Sequence, residues 1–208
     1  MELHTWLGFA SASIALLLIP GPTVILVLSY AISQGRRVAL ATVAGVALGD
    51  LIAMSASLAG LGALVLASAK LFVVLKWIGA VYLVYLGIKL FRSAPEASLG
   101  ALQDAPRTSA RKVFTHATAV TALNPKSIVF FIAFVPQFVT PHAALMPQFG
   151  LLIATFVGFA AINALAYALL ADRLREKMTR PSALPLLTRL GGSALVAMGI
   201  ATATLRRA

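Results

Sequence analysis

Very few charged or hydrogen-bonding side chains interrupt the apolar segments of this chain, and these few are the candidates for its chemistry. Asp50, Lys126 and Asn163 each lie near the middle of a long apolar run. A charge at the centre of a membrane-spanning helix costs at least about 2.5 to 3.5 kcal/mol on insertion scales. Such residues are retained where they bind a substrate, carry a proton or pair with one another.

Two proline-containing segments also interrupt apolar runs, and they lie about half a chain apart: Ile19-Pro20-Gly21-Pro22-Thr23 and Leu123-Asn124-Pro125-Lys126-Ser127. Proline removes a backbone donor and clashes with the preceding turn, so each segment predicts a broken helix. In lipid, the freed backbone groups must face other protein or a water-filled cavity. Asn124 followed by Pro125 is typical of a helix start, an end that attracts a carboxylate. A simple kink is the structural alternative for either break alone.

Asp50 and Lys126 are predicted to lie at the same depth. At about 1.5 Å per residue, Asp50 lies roughly 20 Å from a helix start near Arg37, and Lys126 lies about as deep from Lys112. Burial favours the neutral form of a carboxyl group, and a nearby cation favours the charged form. If the two residues face each other in only one conformation, proton entry would be coupled to solute exit. The alternative is a fixed Asp–Lys or Asp–Asn link between helices, and Asn163 fits such an interhelical role.

The elements that position these residues are predicted from composition. The chain has 208 residues, of which 60% are hydrophobic and 11% charged, and it contains no cysteine. Its mean hydropathy is +0.94. A soluble domain carries about 25% charged residues, so the chain is predicted to lie in a membrane. The lack of cysteine excludes a disulfide framework, thiolate metal ligands and a cysteine nucleophile.

Six segments reach the roughly 20 apolar residues that a span requires. They run approximately over Leu3–Ser33, Ala39–Ser68, Leu71–Phe91, Val113–Phe138, Ala144–Ala171 and Leu184–Leu205. The predicted fold is all-α, a single polytopic domain with a repeat at about 1–92 and a second at about 112–208. Three spans per repeat is an odd number, so the second repeat is inverted, and helices 1 and 4 are broken near the midplane, where transporters of this kind bind substrate. The first span is expected to be retained because no cleavage site follows a short apolar core.

The excess of positive charge predicts the orientation of the chain. The 17 Lys and Arg residues outnumber the 6 Asp and Glu residues, giving a net charge of +11. Twelve cations fall in the 1–2, 3–4 and 5–6 connections: Arg36, Arg37, Lys89, Arg92, Arg107, Arg111, Lys112, Arg173, Arg175, Lys177, Arg180 and Arg189. By the positive-inside rule these connections are cytoplasmic and both termini lie outside. Nucleic-acid binding is not predicted, because the basic residues lie between apolar runs.

These motifs resemble the LysE/RhtB family of amino-acid exporters, most closely its homoserine, threonine and neutral amino-acid branch. The similar segments are Pro20-Gly21-Pro22, Gly35-Arg36-Arg37, Gly45 with Gly49-Asp50, Leu75 to Gly87, Asn124-Pro125-Lys126-Ser127 and Pro136-Gln137-Phe138. The resemblance implies proton-driven amino-acid efflux across the bacterial inner membrane without an organic cofactor. It also implies functional roles for Pro20, Gly21, Pro22, Asp50, Asn124, Pro125 and Lys126.

The mechanistic hypothesis places the substrate carboxylate against the helix ends at Gly21-Pro22 and Asn124-Pro125, beside Lys126. Asn163 is a further candidate ligand, and Asp50 would bind either the substrate ammonium group or a proton. The expected partners are therefore an amino acid, protons and the lipid bilayer, and a homodimer is an open alternative. Gly45 and Gly49 are expected to allow close helix packing.

Two other functions remain as alternatives, an intramembrane hydrolase and a divalent-cation exporter. An intramembrane aspartyl protease needs two carboxyl groups that share a proton, and Asp50 is the only acid at membrane depth. A serine hydrolase needs a serine beside a histidine, and His4, His116 and His142 all lie near span ends. A divalent-cation exporter would have a poor ligand set in one aspartate and one asparagine. An enzyme is therefore not predicted, and no metal or cofactor is expected.

Overall fold

The computed structural model describes residues 1–19, 21–34, 36–67, 69–92, 108–140, 143–171 and 183–204. Within these ranges the chain forms eight α-helices and no β-strand. The helices are α1 Leu3–Leu18, α2 Pro22–Gln34, α3 Arg36–Ala67, α4 Ala69–Arg92, α5 Ala110–Ala122, α6 Pro125–Val129, α7 Leu145–Leu169 and α8 Ala183–Thr204. A π-helical turn, Phe130–Phe134, and a 3-10 turn, Val135–Phe138, continue α6.

The two predicted breaks are present. The axes of α1 and α2 differ by 55°, and α5 is bent by 40° from the segment Pro125–Phe138. Pro20 lies outside the described residues, as do Arg107, Arg173, Arg175, Lys177, Arg180, Arg206 and Arg207. The helices at each break are therefore separate elements that meet at an angle, and their ends present backbone groups that need partners.

The all-α, polytopic membrane fold is confirmed. Among the described residues, Val38–Ala63 and Leu145–Leu169 are long and apolar enough to cross a bilayer, and four spans result if each bent pair counts as one. The two other predicted spans correspond to α4, with 24 residues, and α8, with 22. A count of six spans stays a prediction.

Glycines allow two pairs of helices to pack closely. A Cβ atom added at Gly49 in α3 would lie 2.7 Å from the carbonyl oxygen of Thr118 in α5, so the two backbones are nearly in contact. A Cβ at Gly87 in α4 would lie 2.6 Å from the carbonyl oxygen of Gly192 in α8, and the reverse distance is also 2.6 Å. Small residues permit such approach in lipid, where dispersion rather than the hydrophobic effect holds helices together. The prediction of close packing at Gly49 is confirmed.

The largest buried side chains form an aromatic cluster, which we define as Phe9, Phe130, Phe131, Phe134, Phe138 and Phe156. Neighbouring rings in this cluster have centroids 4.8 to 6.5 Å apart. These separations suit tilted and edge-to-face aromatic contacts. The cluster packs α1 and α7 against the irregular segment that follows α6. It therefore holds the second break in position relative to these helices.

Two contacts show which helix ends lie together. The Gln34 side chain at the end of α2 accepts a hydrogen bond of 2.8 Å from the backbone N–H of Thr108, just before α5. The Arg189 guanidinium group near the start of α8 lies 5.9 Å from the ring centroid of Phe91 at the end of α4. The end of α2 thus lies beside the start of α5, and the end of α4 lies beside the start of α8.

Candidate functional site

A cavity lies where the two broken helices meet α3 and α7. Its polar lining residues are Thr23, Asp50, Asn124, Lys126, Ser127, Asn163 and Tyr167. The cavity has a volume of about 30 Å³, and a cavity needs at least about 10 to 15 Å³ to hold one water molecule. The structure therefore brings together, around a small cavity, the polar residues that the sequence predicted at mid-depth.

The carboxyl end of α1 is capped mainly by side chains from the second half of the chain, beside one local bond of 3.3 Å from the backbone N–H of Ile19 to the carbonyl oxygen of Leu16. The Lys126 ammonium group donates to the carbonyl oxygens of Leu16 and Ile19, both at 3.1 Å. The Asn163 amide donates to the carbonyl oxygen of Leu17 at 3.1 Å. The Tyr167 hydroxyl donates to that of Leu18 at 3.4 Å. A helix end leaves four carbonyl groups without intrahelical partners, and these donors satisfy such groups in an apolar environment.

The second break is closed by local hydrogen bonds. The Asn124 side chain accepts a bond of 3.1 Å from the backbone N–H of Lys126, so it acts as the predicted N-cap of α6. The backbone N–H of Asn124 donates to the carbonyl oxygen of Thr121 at 3.1 Å. The Asn124 amide also donates to the Thr23 hydroxyl at 3.2 Å, which joins this break to the start of α2. The two breaks are therefore in direct contact.

Asp50 also lines the cavity and is only 3% exposed. Within the described part of the chain, no hydrogen bond and no ion pair within 4.0 Å involves its carboxylate. The fixed Asp–Lys bridge that the sequence left open is therefore not formed in this conformation. A buried carboxylate without a partner is costly, so this group is suited to bind a cation or a proton from the cavity.

The remaining predicted site residues contribute through the backbone. A Cβ atom added at Gly21 would lie 3.4 Å from Lys126 Nζ, so the glycine leaves room for the lysine. Pro22 and Pro125 are the first residues of α2 and α6, and both side chains are exposed. Neither proline ring lines the cavity, which is consistent with prolines that set the helix starts.

Sequence reasoning missed Thr23, Ser127 and Tyr167 as lining residues. Tyr167 follows Asn163 by four residues, and residues at this spacing share a helix face. The periodicity of α7 could therefore have indicated Tyr167 once Asn163 was chosen. Thr23 directly follows Pro22, and Ser127 lies two residues after Pro125. Whether they line the cavity depends on how the two breaks face each other.

Different contacts lie along the helices on the two sides of the cavity. The aromatic cluster lies on one side, since Phe156 is one turn before the lining residue Ala160 and Phe9 lies two turns before Leu16. Two turns after the lining residue Thr23, Tyr30 of α2 and His116 of α5 are joined by an exposed hydrogen bond of 2.9 Å between the hydroxyl and Nδ1. The first set of contacts is apolar and the second is polar.

No group of three or more His, Cys, Asp or Glu residues suitable for a metal ion occurs among the residues that the structure describes. The donor set of the cavity is instead one carboxylate, one ammonium group, two amides and three hydroxyls. This combination can bind both charged ends of a zwitterion.

Comparisons with known proteins find similarity over nearly the whole chain. The model of the LysE type translocator family matches residues 14–206. The chain is 34% identical over 208 residues to a homoserine/homoserine lactone efflux protein of Salmonella typhimurium, covering all of both chains. It is also 34% identical over 204 residues to an uncharacterized membrane protein of Vibrio cholerae, covering 98% of each. No solved structure shows a significant match.

Proposed function

Because the chain belongs to the LysE type translocator family, we propose that it is a secondary active transporter that exports small neutral amino acids, similar to homoserine or threonine, in exchange for protons. The observation that carries the proposal is the unpaired Asp50 carboxylate in a cavity shared with Lys126 and the broken helix ends. The substrate class is supported by the full-length similarity to a homoserine/homoserine lactone efflux protein.

In the proposed binding mode, the substrate ammonium group pairs with Asp50 and the substrate carboxylate binds on the opposite wall. An ammonium group has three donors, and Lys126 uses two of them on α1. The third N–H donor of Lys126 is left for the substrate carboxylate. The first turn of α2, which includes the lining residues Thr23 and Val24, adds free N–H groups and the positive end of a helix dipole. Asn163 then acts by fixing α1 rather than as a direct ligand.

The proposed coupling rests on competition for one carboxylate. Asp50 can hold a substrate ammonium group or a proton, and binding of one excludes the other. A substrate released outside would be replaced by a proton, and the proton would be released inside before the next substrate binds. The cavity is small, about 30 Å³, and in the proposed cycle the helices separate at each exchange, with Tyr30–His116 and the aromatic cluster as the two closures.

Efflux from proteoliposomes preloaded with radiolabelled homoserine tests the coupling. We expect wild-type efflux to accelerate when the outside is acidic, and Asp50→Asn to lose this acceleration while keeping the shape of the residue. Glu2→Gln is the matched control, because its carboxylate is exposed at the end of the chain. If Asp50→Asn responds to the gradient like the wild type, Asp50 is not the proton carrier. If homoserine and the other neutral amino acids are not exported by the wild type, the substrate proposal fails.

The two-repeat architecture, with repeats at about 1–92 and 112–208, is part of the proposal. A two-fold axis between inverted repeats pairs each helix with its counterpart, as α3 with α7 and α4 with α8. Both pairs are in contact, and the reciprocal approach of Gly87 and Gly192 supports such an axis. A homodimer stays a prediction.

We also propose that the protein lies in the bacterial inner membrane with both termini outside. The contacts Gln34–Thr108 and Phe91–Arg189 bring together helix ends that border the predicted cytoplasmic connections. This arrangement supports the positive-inside assignment. Since the chain has no cysteine, single cysteines are clean reporters. In intact cells we expect an impermeant maleimide to label Thr140→Cys and not Ser109→Cys, and the reverse pattern would invert the topology.

A further inference from the structure

The carboxyl end of α1 has the chemistry of a monovalent-cation site. Two of its carbonyl oxygens, those of Leu16 and Ile19, converge on one positively charged atom at 3.1 Å each. The end of this 16-residue helix also carries the partial negative charge of the helix dipole. In transporters with broken helices, such ends and unwound carbonyl groups coordinate sodium ions.

The charged atom at this position belongs to the protein itself. The Lys126 side chain extends from the second break to this position. Asn163 and Tyr167 donate hydrogen bonds to the neighbouring carbonyl groups of Leu17 and Leu18. Asp50 provides an unpaired carboxylate on the same cavity. Two converging carbonyl oxygens near a carboxylate form an all-oxygen set, which suits a hard monovalent ion.

We propose that the Lys126 ammonium group is a tethered substitute for a free cation such as Na⁺, and that it occupies a monovalent-cation site formed by the carboxyl end of α1. The chain then carries its own ion through every cycle. Transport by the wild type therefore needs no sodium, and truncation of the lysine side chain opens the site to a free cation. The proposal goes beyond the exported solute and the proton, because it concerns the helix end and not the substrate.

A purely structural cap predicts a different response. A cap is lost with its hydrogen-bond donors, and no dissolved ion restores it selectively. A cation site responds to charge and to free volume, so the length of the replacing side chain matters. Lys126→Ala removes the charge and leaves space, whereas Lys126→Met removes the charge and fills the space. Asn163→Ala is the matched control, because it removes a neutral donor from the same helix end.

The first measurement is thermal unfolding of the purified full-length variants in detergent, with sodium chloride or methylammonium chloride titrated against choline chloride at constant ionic strength. A ligand that binds only the folded state raises the melting temperature with concentration. We expect a saturable rise of several degrees for Lys126→Ala, and no such rise for the wild type, Lys126→Met or Asn163→Ala. A flat response of Lys126→Ala, equal responses of all variants, or failure to recover folded Lys126→Ala in any of these salts overturns the proposal.

The second measurement needs no variant. Solute efflux from wild-type proteoliposomes is measured in two buffers. One contains sodium and the other contains choline as the only added monovalent cation on both sides of the membrane. We expect rates that agree within about twofold, since the tethered ammonium group is always present. A loss of about tenfold in choline, which corresponds to about 1.4 kcal/mol of binding, would overturn the proposal. If no solute is exported, the proposed function fails, while the melting experiment still decides on the cation site.

Discussion

The two helix breaks both contain proline but are stabilised in different ways. At the second break, Asn124 caps α6 and its backbone bonds back to Thr121, so the partners are within three residues. At the first break, the carbonyl groups at the end of α1 depend on Lys126, Asn163 and Tyr167, which are more than 100 residues away in sequence. The second break is stabilised mainly by its own residues, whereas the first depends on contacts between the two halves of the chain.

This difference suggests how motion and binding are connected. Helix ends that are satisfied by remote side chains must exchange those partners for water or substrate when the halves separate. The first break is therefore the place where binding and conformational change meet. The second break can move as a unit and carries Lys126 with it.

The largest expected effect is at Lys126. Lys126→Met removes two hydrogen bonds from a charged donor and leaves the Leu16 carbonyl with only its local backbone bond, and we expect a loss of about 3 kcal/mol in unfolding free energy. Homoserine efflux should fall to the background of empty liposomes. Lys89→Met is the control, because Lys89 is exposed in the last turn of α4. A loss below about 1 kcal/mol would mean that α1 does not depend on the remote lysine.

Removal of the Asn124 side chain is expected to be the next largest effect. Asn124→Ala loses the cap of α6 and the hydrogen bond to Thr23, and we expect a cost of about 1 to 2 kcal/mol. Ser109→Ala is the matched control, since Ser109 caps α5 at an exposed position with a longer bond of 3.4 Å. Equal losses in chemical unfolding would show that the contact between the two breaks adds nothing beyond an ordinary cap.

Asn163→Ala is expected to cost about 1 kcal/mol, a usual value for an interhelical hydrogen bond in a membrane. Its effect should shrink when Lys126→Met is already present, because both side chains stabilise the same helix end. A double-mutant cycle in unfolding free energy measures this coupling. Strict additivity would show that the carbonyl groups of α1 are satisfied independently of each other, and the first break would then not behave as one unit.

Sequence reasoning located the breaks and the mid-depth polar residues, because proline and charge are rare and costly in an apolar helix. The outer bounds of the six predicted segments also agree with the described helices and helical turns to within a few residues. Sequence reasoning did not predict that Lys126 points at the carbonyl groups of α1, since that contact joins residues 107 and 110 positions apart. The π-helical turn Phe130–Phe134 was missed for a similar reason. Its geometry depends on packing of the aromatic cluster, and the local sequence contains only apolar residues.

The smallest expected effect is at Tyr167, and it gives the finest test of the comparison. Tyr167→Phe removes one hydroxyl that donates to the carbonyl oxygen of Leu18 at 3.4 Å, and we expect a cost of about 0.5 kcal/mol. Tyr85→Phe, on an exposed face of α4, is the control and should change nothing measurable. Because the hydroxyl lines the cavity, its loss should also alter homoserine efflux more than its small effect on stability implies. Equal efflux in the two phenylalanine variants would show that Tyr167 contributes only to packing, and that the remote capping of α1 ends with Asn163.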